Sequence, residues 1–198
     1  MPLPAIQTKL KSGKEGFTLG NGDCAKLQDF WQWSFSNLMD NSLRGALAEF
    51  IVRLALEIKD EVRNNWTAYD LKTQSGLKIE VKASAYLQWW HQKEESKIIF
   101  DIASAAGWDP KTNVIDADTK RQADVYVFCL LKEKVKELVN PLNLNQWDFY
   151  VVETATLNQK HPTAKSLGLR ALEKLCPKSF SFGELKAIIQ TIDCKVRQ

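Results

Sequence analysis

Asp70, Glu80 and Lys82 are the residues whose types and spacing best suit chemistry on a phosphodiester. They lie in YDLKTQSGLKIEVKAS (69–84), where Ser75-Gly76 signals a turn between two strand-like runs. A tight hairpin centred near residue 75 sets Asp70 opposite Glu80. Side chains alternate along a strand, so Glu80 and Lys82 share one face while Ile79 and Val81 take the other. The three polar groups then converge, although a slip of one residue would break the facing pair. Carboxylate oxygens suit Mg²⁺ or Mn²⁺, which makes an attacking water more acidic and offsets charge on the leaving oxygen. The lysine orients that water or stabilises the anionic transition state. The backbone carbonyl of Val81 is a candidate further metal ligand. The opposing reading is a solvated hairpin face whose charges serve solubility. LKIEVK weighs against it, because an acid and a lysine within an otherwise apolar strand need a partner or a metal.

These residues must be positioned by the elements around them. Asp40 or Asn41 offers an N-cap to a helix over 42–58, SLRGALAEFIVRLALEI. Its main apolar stripe is Leu43, Leu47, Phe50, Ile51, Leu54 and Ile58. Glu49 lies off that stripe among Gly45, Val52 and Leu56, so it points either to the site or to solvent. Strand-like runs follow at 65–71, 77–86, 97–103, 123–131 and 146–152. Helical patterns return at 163–175, stopped by Pro177, and at 182–192. Helix, strands and helices in that order imply an α/β fold with a central mixed sheet flanked by helices. Residues 1–26, polar and glycine-bearing, read as a loosely ordered lead-in, and 27–198 as a single domain.

Tyr69-Asp70, nine residues, then Glu80-Val81-Lys82 resembles the motif of the PD-(D/E)XK nuclease superfamily, the restriction-endonuclease-like enzymes. The element order over about 41–131 is similar as well, with an acid inside the helix preceding the hairpin. Tyr69 stands where the name-giving proline would be. The resemblance implies a restriction-endonuclease-like core and a metal-dependent nuclease acting on DNA, the usual substrate of that superfamily. It implies metal-ligand roles for Asp70 and Glu80, the catalytic lysine in Lys82, and an extra ligand in Glu49. A homodimer is a candidate assembly, because one site cuts one strand. The rivals are a non-catalytic nucleic-acid-binding protein that retains the fold, and an interaction protein whose hairpin is merely charged.

Bulk properties are compatible with this and do not require it. The 198 residues are 44% hydrophobic and 26% charged, ordinary for a globular chain. The net charge of +3 is too small to specify a nucleic-acid partner. No run approaches the roughly 18 apolar residues of a membrane span, and the start lacks a signal-peptide core, so a cytoplasmic protein is expected. Cys24, Cys129, Cys176 and Cys194 lie far apart, which excludes a paired-cysteine zinc site and suggests reduced thiols. Lys72 and Lys78 should face each other near the hairpin turn and, with Lys120 and Arg121, are candidates for phosphate contact. For the lysines a solvated surface role is the alternative. Trp31, Trp33, Trp66 and Trp147 read as core residues, Trp89 and Trp90 as candidates to line a substrate groove, and His91 and His161 as surface residues.

Overall fold

The run VYVFCLL is apolar at every position, and a strand with no polar face must be covered on both sides. In the computed structural model, which describes residues 3, 5–59, 62–65, 67–109 and 112–196, all seven of its residues are buried. In chain order the strands are β1 (Gly16–Leu19), β2 (Gly22–Lys26), β3 (Leu71–Lys72), β4 (Lys78–Ala85) and β5 (Ile99–Asp101). They continue with β6 (Ala105–Asp109), β7 (Val114–Lys120), β8 (Val125–Leu131), β9 (Trp147–Glu153) and β10 (Ser166–Gly168). The α-helices are α1 (Leu27–Phe35), α2 (Asn41–Ala55), α3 (Thr154–Lys160), α4 (Leu169–Leu175) and α5 (Leu185–Val196).

The central sheet runs β3-β4-β8-β9. The β4–β8 pair is parallel and its two neighbours are antiparallel, so the sheet is mixed. One face packs Ile79, Val81, Val125, Val127 and Cys129 against Ala48, Ile51 and Val52 of α2 and Leu185 and Ile189 of α5. The other packs Tyr126, Phe128 and Tyr150 against Phe100, Leu157, Leu167 and Leu172. A parallel pair needs a long crossover, here the chain from 86 to 124, which carries β5 and the β6–β7 hairpin. Among the described residues no helix is long and apolar enough to cross a membrane.

Asp40 caps α2 as its residue type suggests, accepting from the backbone N–H groups of Ser42 (2.9 Å) and Leu43 (3.3 Å). The helix stops at Ala55, before the expected Ile58, where Glu57 takes a left-handed φ of 56°. Its buried face is also rotated from the expected stripe. Arg44, Ala48, Glu49, Ile51 and Val52 are inside, whereas Phe50 and Leu54 are nearly half exposed. Ala48, Ile51 and Val52 face the sheet, and Phe50 and Leu54 turn away from it.

Other expectations are corrected. The lead-in holds the antiparallel β1–β2 hairpin, paired from Gly16↔Lys26 to Leu19↔Gly22. Among the described residues of the strand read at 65–71, only Leu71 lies in a strand, as the first residue of β3. Ser166–Gly168, read as helical, pairs with β5 and leaves α4 to begin at Leu169. The β6–β7 hairpin and α3 carried no strong pattern. Trp147 is buried, its indole N–H donating to the Pro141 carbonyl, but Trp31 and Trp33 are exposed on α1; Trp66 lies outside the described residues. All four cysteines are free, with Cys129 and Cys176 buried and Cys24 and Cys194 exposed.

Arg121 is a structural strut. It is 6% exposed, and its guanidinium donates to the carbonyls of Ile102 (2.8 Å), His161 (2.8 Å) and Ala164 (3.0 Å) and to Asn158 Oδ1 (2.7 Å). Four of its five N–H donors are so engaged on a side chain that solvent hardly reaches, which weighs against its reading as a nucleic-acid contact. Arg121→Ala leaves four acceptors without their donor, the buried Ile102 carbonyl among them, and should cost roughly 3 kcal/mol in urea unfolding. Arg121→Lys should recover little of it, since three donors on one nitrogen cannot span four acceptors. An unchanged urea midpoint for Arg121→Ala would remove the strut role.

Candidate active site

The hairpin adopts the register that its turn signal implies, with Leu71↔Ile79 and Lys72↔Lys78. The turn closes through Thr73 N–H to the Leu77 carbonyl (3.0 Å) and Gly76 N–H to the Thr73 carbonyl (2.9 Å). Gly76 has φ 100°, a conformation open to glycine and strained for any side chain. Asp70 precedes β3 by one residue, and its N–H donates to the Ile79 carbonyl (3.0 Å). Its carboxylate Oδ2 accepts from the Val81 N–H at 2.7 Å. Asp70 is thereby tied to the peptide between Glu80 and Lys82. In a strand, N–H and C=O of one residue point to the same edge. The Val81 carbonyl therefore also faces the edge at which β3 ends.

Glu80 and Lys82 share the face that carries Tyr126 and Phe128, their partners across β8. They pair with each other at 2.6 Å and are 18% and 28% exposed in their side chains. Glu49 reaches the site from α2. It is buried, and Arg63 holds it with a two-pronged ion pair, Nε to Oε2 and Nη2 to Oε1, each 2.5 Å. Glu49, Arg63 and Asp70 line one cavity of about 910 Å³, with Trp31, Phe50 and Arg53 also in its wall.

The charges do not balance. Arg63 answers Glu49 and Lys82 answers Glu80, while no cation among the described residues forms an ion pair with Asp70. Burial pushes the Asp70 carboxyl up from 3.8 to about 7, and the neighbouring Glu80 and Glu49 charges add to the rise. The Val81 N–H and Lys82 oppose it. Burial works against the charge on Lys82, but Glu80 and then Asp70 and Asp101 outweigh it, so its ammonium is held above the ordinary lysine value. Burial first, and Glu80 second, push the Tyr126 phenol up to about 12. The hydrogen bond to Glu49 leads the causes that raise Arg63.

Among the described residues no three His, Cys, Asp or Glu side chains gather as a metal-holding group. What the structure brings together is Asp70, the Glu80–Lys82 pair and the Val81 peptide, with Glu49 alongside. Two carboxylates and a carbonyl still suit Mg²⁺, which retains several waters and needs few protein ligands. The excess negative charge around Asp70 is what a cation would relieve. Lys72 is exposed and lines the cavity. Lys78 is half-buried, its ammonium 5.5 Å from the centre of the Tyr69 ring. Lys120 is exposed at the end of β7, away from the cavity wall. The sequence reading missed Arg63, whose stretch has no periodicity, and Lys9 and Lys11, which the described N-terminal segment brings to the cavity.

A family match sets the class of the protein as an endonuclease. Residues 29–169 fit the family model of bacteriophage T4 endonuclease IV, and the chain belongs to that family. The matched span contains every sequence-derived site residue and excludes Lys9 and Lys11. A solved structure of a bacterial homing endonuclease, I-Ssp6803I, overlaps 80% of this chain and 99% of its own, at 20% identity and a TM-score of 0.42. No curated protein matches the chain.

The Asp70 shift has a consequence for stability. A carboxyl raised in the folded state and ordinary in the unfolded one binds a proton more tightly when folded. The fold therefore loses stability as pH rises between about 4 and 7. Asp70→Asn keeps an acceptor for Val81 and removes that penalty. In chelator, the variant should unfold at higher urea than wild type at pH above 7, by a few kcal/mol, with the gap closing toward pH 4. A variant no more stable than wild type under the alkaline condition would contradict the buried, unpaired carboxylate.

Proposed function

We propose that this protein is a Mg²⁺- or Mn²⁺-dependent deoxyribonuclease with a PD-(D/E)XK-type site on a restriction-endonuclease-like core. The observation that carries the reading is the hydrogen bond from Val81 to Asp70, which gathers both acids and Lys82 around one peptide. Membership in an endonuclease family supports the same reaction class. Asp70 and Glu80, with the Val81 carbonyl, would hold the cation, and Glu49 could extend the set. When bound, such a cation makes water a better nucleophile and offsets charge on the leaving oxygen.

The remaining chemistry belongs to the chain. Lys82, held above the ordinary lysine value, is an ammonium at neutral pH. It therefore donates hydrogen bonds instead of removing a proton, and it orients the attacking water or stabilises the phosphorane-like anion. Asp70 must lose its proton to serve as a ligand, and free of metal it ionises near 7, so affinity for the cation should rise with pH up to that value. Lys72 and Lys78 lead phosphates away from the site, and Lys120 is a more distant candidate contact. A homodimer would supply the second site for cutting both strands. The arrangement of all three motif residues favours catalysis over the purely binding alternative, since binding alone needs no buried acid.

Incubation of plasmid and linear DNA with and without Mg²⁺ or Mn²⁺ tests the activity. Lys82→Ala should bind a duplex nearly as well as wild type and cleave it on the order of 10²–10³ more slowly in single turnover. Lys72→Ala with Lys78→Ala should instead weaken binding and flatten its salt dependence while sparing the chemical step. Mn²⁺ calorimetry should show binding to wild type and its loss in Asp70→Ala. Wild-type cleavage by Lys82→Ala would refute the mechanism, and binding without cleavage by every form would favour the non-catalytic alternative.

A further inference from the structure

Glu49 and Arg63 are unequal partners. The Glu49 side chain is 11% exposed, whereas that of Arg63 is 45% exposed and lies at the wall of the cavity that holds Asp70. Resting on the metal-nuclease reading above, we propose that Arg63 is an exchangeable placeholder. In the free protein its guanidinium neutralises Glu49; when a divalent cation takes Glu49, the guanidinium passes to a phosphate of the bound strand.

Three features carry this. A guanidinium presents parallel donors that match carboxylate and phosphate equally, so one fork can change partners without changing shape. A buried carboxylate stripped of its cation is costly, so Arg63 can leave Glu49 only as another cation arrives. That couples the exchange to metal loading and keeps the arginine from drifting free. Third, the wall that Arg63 shares is rich in basic residues. Lys9, Lys11, Arg53 and Lys72 all line it. Arg53 Nε is buried without a hydrogen-bond partner among the described residues, while its guanidinium lies 6.0 Å from the Phe50 ring centre. Arg63 Nη1 is meanwhile held by Asn65 Oδ1, which anchors the fork from behind. Arg63 is on this account a positioning residue for Glu49 and a strand contact once released.

The test is Mn²⁺ calorimetry on the full chain, comparing wild type, Arg63→Gln, Glu49→Gln and the double variant, with gel shifts of a duplex in Ca²⁺. Removing the competing cation should tighten Mn²⁺ binding about tenfold in Arg63→Gln. Glu49→Gln should weaken it, and adding Arg63→Gln to Glu49→Gln should change nothing further, because no carboxylate is left to compete for. A static strut would show no such coupling. Arg63→Gln should also bind the duplex less tightly, with a shallower salt dependence. Arg63→Lys retains the charge without the fork; it should bind Mn²⁺ more tightly than wild type and serves if Arg63→Gln does not fold. Mn²⁺ affinity at or below wild type in whichever of Arg63→Gln and Arg63→Lys folds would overturn the exchange. If wild type binds no Mn²⁺, or binds it equally after Asp70→Ala, the metal reading falls and the exchange with it. Mn²⁺ held through Asp70 but indifferent to Arg63 removes the exchange alone.

Discussion

Where β3 ends, the N–H of Val81 has no neighbouring strand to receive it, and the carboxylate of Asp70 takes it at 2.7 Å. Much of the site follows from that substitution of a side chain for a ladder partner. It places an acid at the rim of the sheet, beside the peptide that separates Glu80 from Lys82. It also directs the acid inward, where burial and two like charges make ionisation expensive. The sheet tolerates this because the charge deficit is local: Glu80 and Glu49 each have a cation, and the strain is confined to one carboxyl.

The core is arranged to hold that rim still. β8 is buried along its whole length and fixes β4 through a parallel ladder from Ile79↔Val125 to Ala85↔Leu131. β4 is thus paired with β8 along one edge and open on the other only past the two residues of β3. Arg121 ties the end of the crossover to Ile102, to Asn158 of α3 and to the loop before β10 with four hydrogen bonds. Two arginines thus acquire opposite roles from burial: Arg121, enclosed and held by four hydrogen bonds, is a fastener, while Arg63, half in solvent, faces a cavity.

The parts legible in the sequence were those governed by local rules. Ser75-Gly76 specified the turn and with it the register, because a glycine with positive φ leaves few ways to close a hairpin. Asp40 read as a cap because a short acceptor side chain before an apolar run has that one use. What was hidden depended on partners distant in sequence. Apolar spacing in α2 brought Leu47, Ile51 and Ile58 to the core, but it could not tell that Phe50 and Leu54 stay nearly half exposed while Ala48 and Val52 face the sheet. Ser166–Gly168 looks helical until β5 is beside it. Arg121 beside Lys120 looks available to phosphate until the four acceptors that surround it are known. Arg63 gives no sign at all, since its partner is 14 residues away on another element.

The order in which these pieces can assemble differs from their order of importance. The bond joining Asp70 to Val81 spans 11 residues, whereas Lys78 reaches Asp124 across 46. Short loops close at lower entropic cost than long ones, and parallel pairings form slowly. The hairpin can therefore bring its acids and lysine together while the chain is still largely unfolded and wet. In that state Asp70 is an ordinary carboxylate. Its proton affinity climbs only when the fold packs around it and water is expelled, so proton uptake at Asp70 accompanies burial of the hairpin and not its closing.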